Sequence, residues 1–144
     1  MVLFQYQVLI LVKTKRMDYY FTKTISCDFD QAIEKVTEEL KKEGFGILTE
    51  IDVTATLKKK LDVDLYNYRI LGACNPPFAY KALQAENKIG AMLPCNVILQ
   101  EREAGKIEVS AVDPVASMQA VGNDALGEVA DEIRGRLQKV IGSL

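Results

Sequence analysis

Apolar and polar residues alternate along this chain with two different periods. Between Asp28 and Glu43, Phe29, Ile33, Val36 and Leu40 recur at helical spacing, while Glu34, Lys35, Glu38, Glu39, Lys41 and Lys42 fill the opposite side. Ser26 or Asp28 offers a cap for the first turn, and Gly44 supplies the left-handed residue that ends the helix. A second stripe, Leu126, Val129, Ile133, Leu137 and Val140, predicts a helix from about Asn123 to Ile141. Two shorter helical stretches are expected near Thr54 to Leu61 and Pro77 to Ala85, and Asp113-Pro114 reads as a further helix start.

The remaining runs have the period of a strand. Tyr19 to Ser26, Phe45 to Asp52 and Tyr68 to Ala73 are rich in β-formers, and Val97 to Glu103 with Lys106 to Val112 forms a hairpin about Ala104-Gly105. Ile107, Val109 and Ala111 alternate with Glu108 and Ser110, the mark of a sheet with one buried and one wetter face. Most strands follow one another without a full crossover helix. The expectation is therefore an α+β fold, with an antiparallel sheet covered on one face by the two long helices. The other face then needs solvent, a ligand or a partner, and Val97, Leu99, Ile107 and Val109 are the apolar residues expected there, in a homodimer formed partly through the sheet. Val2 to Val12 also alternates, so residues 1–16 read as an extra edge strand or an amino-terminal extension ahead of a single domain at 17–144.

Composition narrows the function more than the fold. The 144 residues suit one core, and 18 basic residues against 20 acidic ones give a net charge of -2. That balance argues against a nucleic-acid partner. There is no histidine, which removes Ser-His-Asp and Cys-His catalysis and histidine-ligated metals. Three cysteines do not make a secreted disulfide framework, so a reduced, cytoplasmic protein is expected. The apolar amino-terminal run is shorter than the ~20 residues that span a bilayer, and its basic residues Lys13, Lys15 and Arg16 follow it rather than precede it. No membrane association is expected.

The candidate chemistry lies in two Cys-Asn pairs, each beside a proline. In Gly72-Ala73-Cys74-Asn75-Pro76-Pro77 a strand ends in a thiol just before a helix, whose dipole and unpaired amides favour a thiolate. In Leu93-Pro94-Cys95-Asn96 a second thiol opens a strand. Paired thiolates at one end of a sheet suit a soft metal such as copper(I), or a disulfide cycle. The bland reading is two small, buried, inert side chains. Cys74, Asn75, Cys95 and Asn96 are thus the candidate ligand-binding residues, and Cys74 and Cys95 the candidate metal ligands. Cys27 reads as structural. Glu50 and Asp52 share a strand parity, suiting acid-base work, a hard cation or a solvated face. Lys58-Lys59-Lys60 reads as a solvated helix surface.

Four strings taken in order carry a family resemblance: Gly46-Ile47-Leu48-Thr49-Glu50-Ile51-Asp52-Val53, Tyr68 to Pro77, Leu93-Pro94-Cys95-Asn96-Val97, and Asp113-Pro114. From about Met17 onward the chain resembles the domain-of-unknown-function 302 family of small prokaryotic proteins. The resemblance implies a TATA-binding-protein-like β-α-β4-α arrangement and no particular activity. The functional expectation is a small binding module holding a soft metal or small ligand beside Cys74 and Cys95. The alternative is a thiol-dependent redox protein or enzyme using Cys74, its thiolate supported by Lys81 or Arg69 in place of a histidine.

Overall fold

The computed structural model describes residues 18–144, so the two readings of residues 1–16 lie outside the described residues. Five strands, β1 (Tyr20–Ser26), β2 (Gly46–Asp52), β3 (Asn67–Cys74), β4 (Cys95–Glu103) and β5 (Lys106–Val112), form one antiparallel sheet in the order β1-β5-β4-β3-β2. Helix α1 (Phe29–Lys42) carries the chain from β1 across to β2 at the far edge of the sheet. From there the strands step back one by one, through α2 (Val53–Leu61), α3 (Pro76–Ala85) and the β4–β5 turn, until β5 pairs with β1. A short α4 (Pro114–Met118) and the long α5 (Gly127–Gly142) complete the chain. The fold is the expected α+β arrangement.

Local chemistry accounts for the ends of α1. The Asp28 amide donates to Gln31 Oε1 at 3.3 Å, and the first turn follows. At the other end Gly44 adopts φ +86°, which frees its amide for the Lys41 carbonyl and the Phe45 amide for the Leu40 carbonyl. That pair of bonds is a Schellman stop, with Leu40 and Phe45 both buried beside it. The carboxyl-terminal helix begins differently from the periodic reading. Asn123 Oδ1 accepts from the Ala125 amide, and a 3-10 turn at Asp124–Leu126 precedes α5.

The core lies between one face of the sheet and helices α1 and α5. Val36 and Leu40 of α1 and Leu137 and Val140 of α5 join Leu71, Val97, Leu99, Ile107, Val109 and Ala111 in one cluster. Each valine, leucine or isoleucine among them, fully removed from water, contributes about 1.5–3 kcal/mol. This corrects the face assignment read from the sequence: Val97, Leu99, Ile107 and Val109 have no exposed surface and lie under the helices. Register explains why. Val97 sits opposite Ala111 and Leu99 opposite Val109, so the apolar parity of both strands is shared and meets the helices. The uncovered face carries the alternate residues, among them Asn96, Ile98, Gln100, Glu108 and Ser110.

In β2 the pairing slips between Ile47 and Thr49, leaving Leu48 as a bulge that is 66% exposed. Thr49 then lies opposite Gly72, and nothing larger than glycine fits there. A Cβ at position 72 would lie 2.2 Å from Thr49 Oγ1 and 2.8 Å from Pro94 Cγ. The threonine can rotate, but the proline ring cannot. Gly72→Ala is expected to cost about 1–3 kcal/mol, read as a lower urea midpoint at unchanged m value. An unchanged midpoint would mean that the Pro94 ring gives way freely.

Candidate functional site

The Cys74-Asn75-Pro76 junction is built where three helices converge. Asn75 caps α3 and is buried, with 6% of its surface exposed. Its Nδ2 donates to the Glu43 carbonyl at 3.1 Å, and Arg136 Nη1 of α5 donates to the same oxygen at 3.0 Å. Lys139 Nζ, one turn further along α5, pairs with the Glu43 carboxylate at 3.1 Å. Gly44 completes the packing: a Cβ there would lie 3.1 Å from Asn75 Nδ2. These contacts join the end of α1 to the start of α3 and the middle of α5. The polar group that the sequence marks for ligand binding therefore uses one of its two amide hydrogens to hold helices together.

Beside this junction the sheet and helices leave a cavity of about 290 Å³. Ala73, Cys74 and Cys95 line it from the ends of β3 and β4, Phe78, Ala79, Ala82 and Leu83 from α3, and Val129, Ala130 and Ile133 from α5. Phe45, Leu93, Pro94 and Met118 close it, while the exposed Leu48 and Leu83 stand at its rim. The lining is apolar apart from Asn75 and the two thiols. The register sets Ala73 opposite Cys95, and Cys74, the next residue at the strand end, lines the same cavity as Cys95. The structure thus brings Cys74, Asn75 and Cys95 into one cavity. It does not bring Asn96 there: Asn96 is exposed on the other sheet face and lines a different cleft.

The thiols differ in setting. Cys95 is buried, and that burial, helped by the nearby Cys74, pushes its thiol from an ordinary value near 9.0 up to about 11. Cys74 is half-buried at the start of α3, and Cys27 is a half-buried packing residue against the main core. The proposed cationic helpers are occupied elsewhere. Arg69 Nη1 holds Glu50 at 2.5 Å and Nη2 reaches Asp52 at 3.4 Å, with the guanidinium over the Phe29 ring. Lys81 lies over the Phe78 ring, 5.2 Å from its centre. Glu50 and Asp52 share a face, as their parity suggests, but both serve Arg69, and Asp52 also caps α2 by accepting from the Ala55 amide at 2.9 Å. Lys58 to Lys60 are exposed, and Lys58 pairs with Asp62 and Asp64.

Motif reading missed the walls. Ala79 and Ala82 recur on one side of α3 and Ala130 lies on α5, and side chains this small leave space between the two helices unfilled. Alanines at helical spacing beside bulky neighbours are the trace such a cavity leaves in a sequence. Among the described residues, no helix is long and apolar enough to cross a membrane, and no three Cys, Asp or Glu side chains are grouped to hold a metal ion.

Residues 21–144 match the family model described as a domain of unknown function, DUF302. The crystal structure of an uncharacterized conserved DUF302 protein from Bacillus stearothermophilus superposes with a TM-score of 0.80 at 30% identity, over 88% of this chain and 98% of that one. None of the curated proteins matches the chain.

The Cys95 shift makes a sign-definite prediction. The folded state keeps the proton that the unfolded chain releases near pH 9.0, so stability is full below that value and is lost as pH rises toward 11. Unfolding free energy should fall over that window by an amount on the order of 2 kcal/mol. In Cys95→Ala that part of the slope should vanish, as urea titrations of the two proteins at pH 8 to 11 will read. Parallel slopes would show that the thiol is hydrated.

Proposed function

The chain belongs to the DUF302 family, and within that fold we propose that it is a small-molecule binding module whose ligand is compact, largely apolar and seated beside Cys74 and Cys95. One observation carries this reading: a cavity of about 290 Å³ whose walls are almost wholly apolar, opening at a rim of exposed leucines. An engineered apolar cavity of about 150 Å³ holds benzene, so this one has room for a fused bicyclic ring or a chain of about eight carbons. Asn75 and the Cys74 thiol supply the few polar contacts that would orient such a ligand.

A soft metal fits less well. The site offers two thiols, and burial holds one of them protonated to about 11, so a metal would have to displace that proton from a buried sulfur. The same protonation weakens a redox reading that needs Cys95 to attack as a thiolate. Free thiols of this kind persist in a reducing compartment, and the cytoplasm is the setting proposed.

Binding is tested with the neutral fluorophore N-phenyl-1-naphthylamine. Its emission should rise on addition of the protein and be competed by 1-octanol. Ala79→Leu, which fills the cavity from a half-buried position, should weaken binding by roughly tenfold or more while leaving the protein folded. Equal binding by the two proteins sinks the proposal.

Self-association is proposed at the β2 edge, in place of the face now buried. There Leu48 is 66% and Ile51 47% exposed on a strand with only one neighbour in the sheet. Light scattering at micromolar concentration should give twice the chain mass, and Ile51→Lys should return it to the monomer. A wild-type monomer removes the claim.

A further inference from the structure

The sheet face that the helices leave uncovered carries a second cleft, of about 450 Å³. Its walls are tyrosines: Tyr19 and Tyr20 at the β1 side, Tyr68 on β3 at the other. Between them lie Asn96, Ile98, Gln100, Glu108 and Ser110 of the two central strands. The Tyr19 and Tyr20 rings meet at 5.0 Å with an inclination of 75°, forming an angled corner. Tyr66 stands 6.2 Å from Tyr68 and donates its hydroxyl to Gln100 Oε1 at 3.2 Å. Thr22 donates to the Val109 carbonyl, so the 3.0 Å contact between Thr22 and Ser110 is donated by Ser110, whose oxygen remains an acceptor.

The charged side chain that lines this cleft is acidic. Glu108 is the lining carboxylate, and among the described residues no lysine or arginine lines the cleft. Arg102 holds Glu108 Oε2 at 2.9 Å, but its side chain is 61% exposed, and such a surface pair yields easily to a better-placed cation. Tyrosine faces are electron-rich and attract cations within about 6 Å of the ring centre. Burial first, then Tyr66 and Tyr19, push the Tyr68 phenol upward, so its ring stays neutral beside the carboxylate.

We propose that this cleft binds a small organic ammonium ion, held by the tyrosine rings and the Glu108 carboxylate. An anion would meet electron-rich rings and a carboxylate, and would have to compete with that carboxylate for Arg102. A purely apolar ligand would forgo the acceptors on Ser110 and Glu108.

Choline and its uncharged isostere 3,3-dimethyl-1-butanol separate shape from charge. The chain has no tryptophan and six tyrosines, so tyrosine emission reports binding directly. Choline should give a saturable change at an affinity roughly tenfold or more better than the isostere. Glu108→Gln should weaken choline by about three- to tenfold without changing the isostere. Tyr68→Phe should retain binding and Tyr68→Leu should lose it, since the ring face and not the hydroxyl is used. Ala79→Leu should leave choline binding intact, which keeps this site independent of the thiol cavity. No saturable response to choline, equal affinity for the two probes, or undiminished affinity in Glu108→Gln overturns the proposal.

Discussion

One carbonyl oxygen, that of Glu43, organises the half of the molecule where the cavity lies. It terminates α1, and it accepts from Asn75 at the start of α3 and from Arg136 in the middle of α5. A helix end leaves its last carbonyls without partners, and here two neighbouring helices supply donors. The consequence is geometric. The three helices are tied at one point, and beside it the alanines of α3 and α5 leave space unfilled. Gly44 is the residue that permits the knot, because it combines a positive φ with room for the Asn75 amide.

Strand alternation divides the molecule's chemistry into two compartments. The parity that includes Leu99 and Val109 is dry and holds the fold together; the parity that includes Gln100 and Glu108 stays wet and polar. Adjacent residues can therefore belong to different worlds. Cys95 sits in the apolar cavity with its proton held tightly, and Asn96, its covalent neighbour, faces water across the thickness of the sheet. A pair of motifs that looks alike in sequence, Cys74-Asn75 and Cys95-Asn96, does two different things. The first ends a strand and turns into a helix, so both its members remain at the cavity; the second begins a strand, whose alternation separates them.

This explains what could be read from the sequence and what could not. Both long helices, all five strands and the hairpin follow from periodicity and punctuation, which are local properties. The capping role of Asp113, whose carboxylate accepts from the Val115 amide at 3.0 Å, was equally local. The buried parity of the hairpin was visible too, but its direction was not, since alternation says that one face is covered without saying by what. Cys74 and Cys95 were legible as neighbours because each closes or opens an element beside a proline. The cavity itself was not, because it is made of alanines and of the tying of Asn75, Arg136 and Glu43, residues separated by up to 93 positions. The tyrosine-lined cleft needs the strand order, which places residues 19 and 68 on one surface.

The bulge at Leu48 sets the phase of everything after it in β2. Ile47 is on the covered side; with unbroken alternation Thr49 and Ile51 would follow it there. The extra residue instead delivers Glu50 and Asp52 to that side, where Arg69 receives them, and turns Ile51 outward. The phase of the strand thus depends on Leu48 staying out of the pairing. Exchanging the Leu48 side chain alters a solvent-facing rim, whereas drawing that residue into the ladder at unchanged length would turn Ile51 inward and take Glu50 and Asp52 away from Arg69.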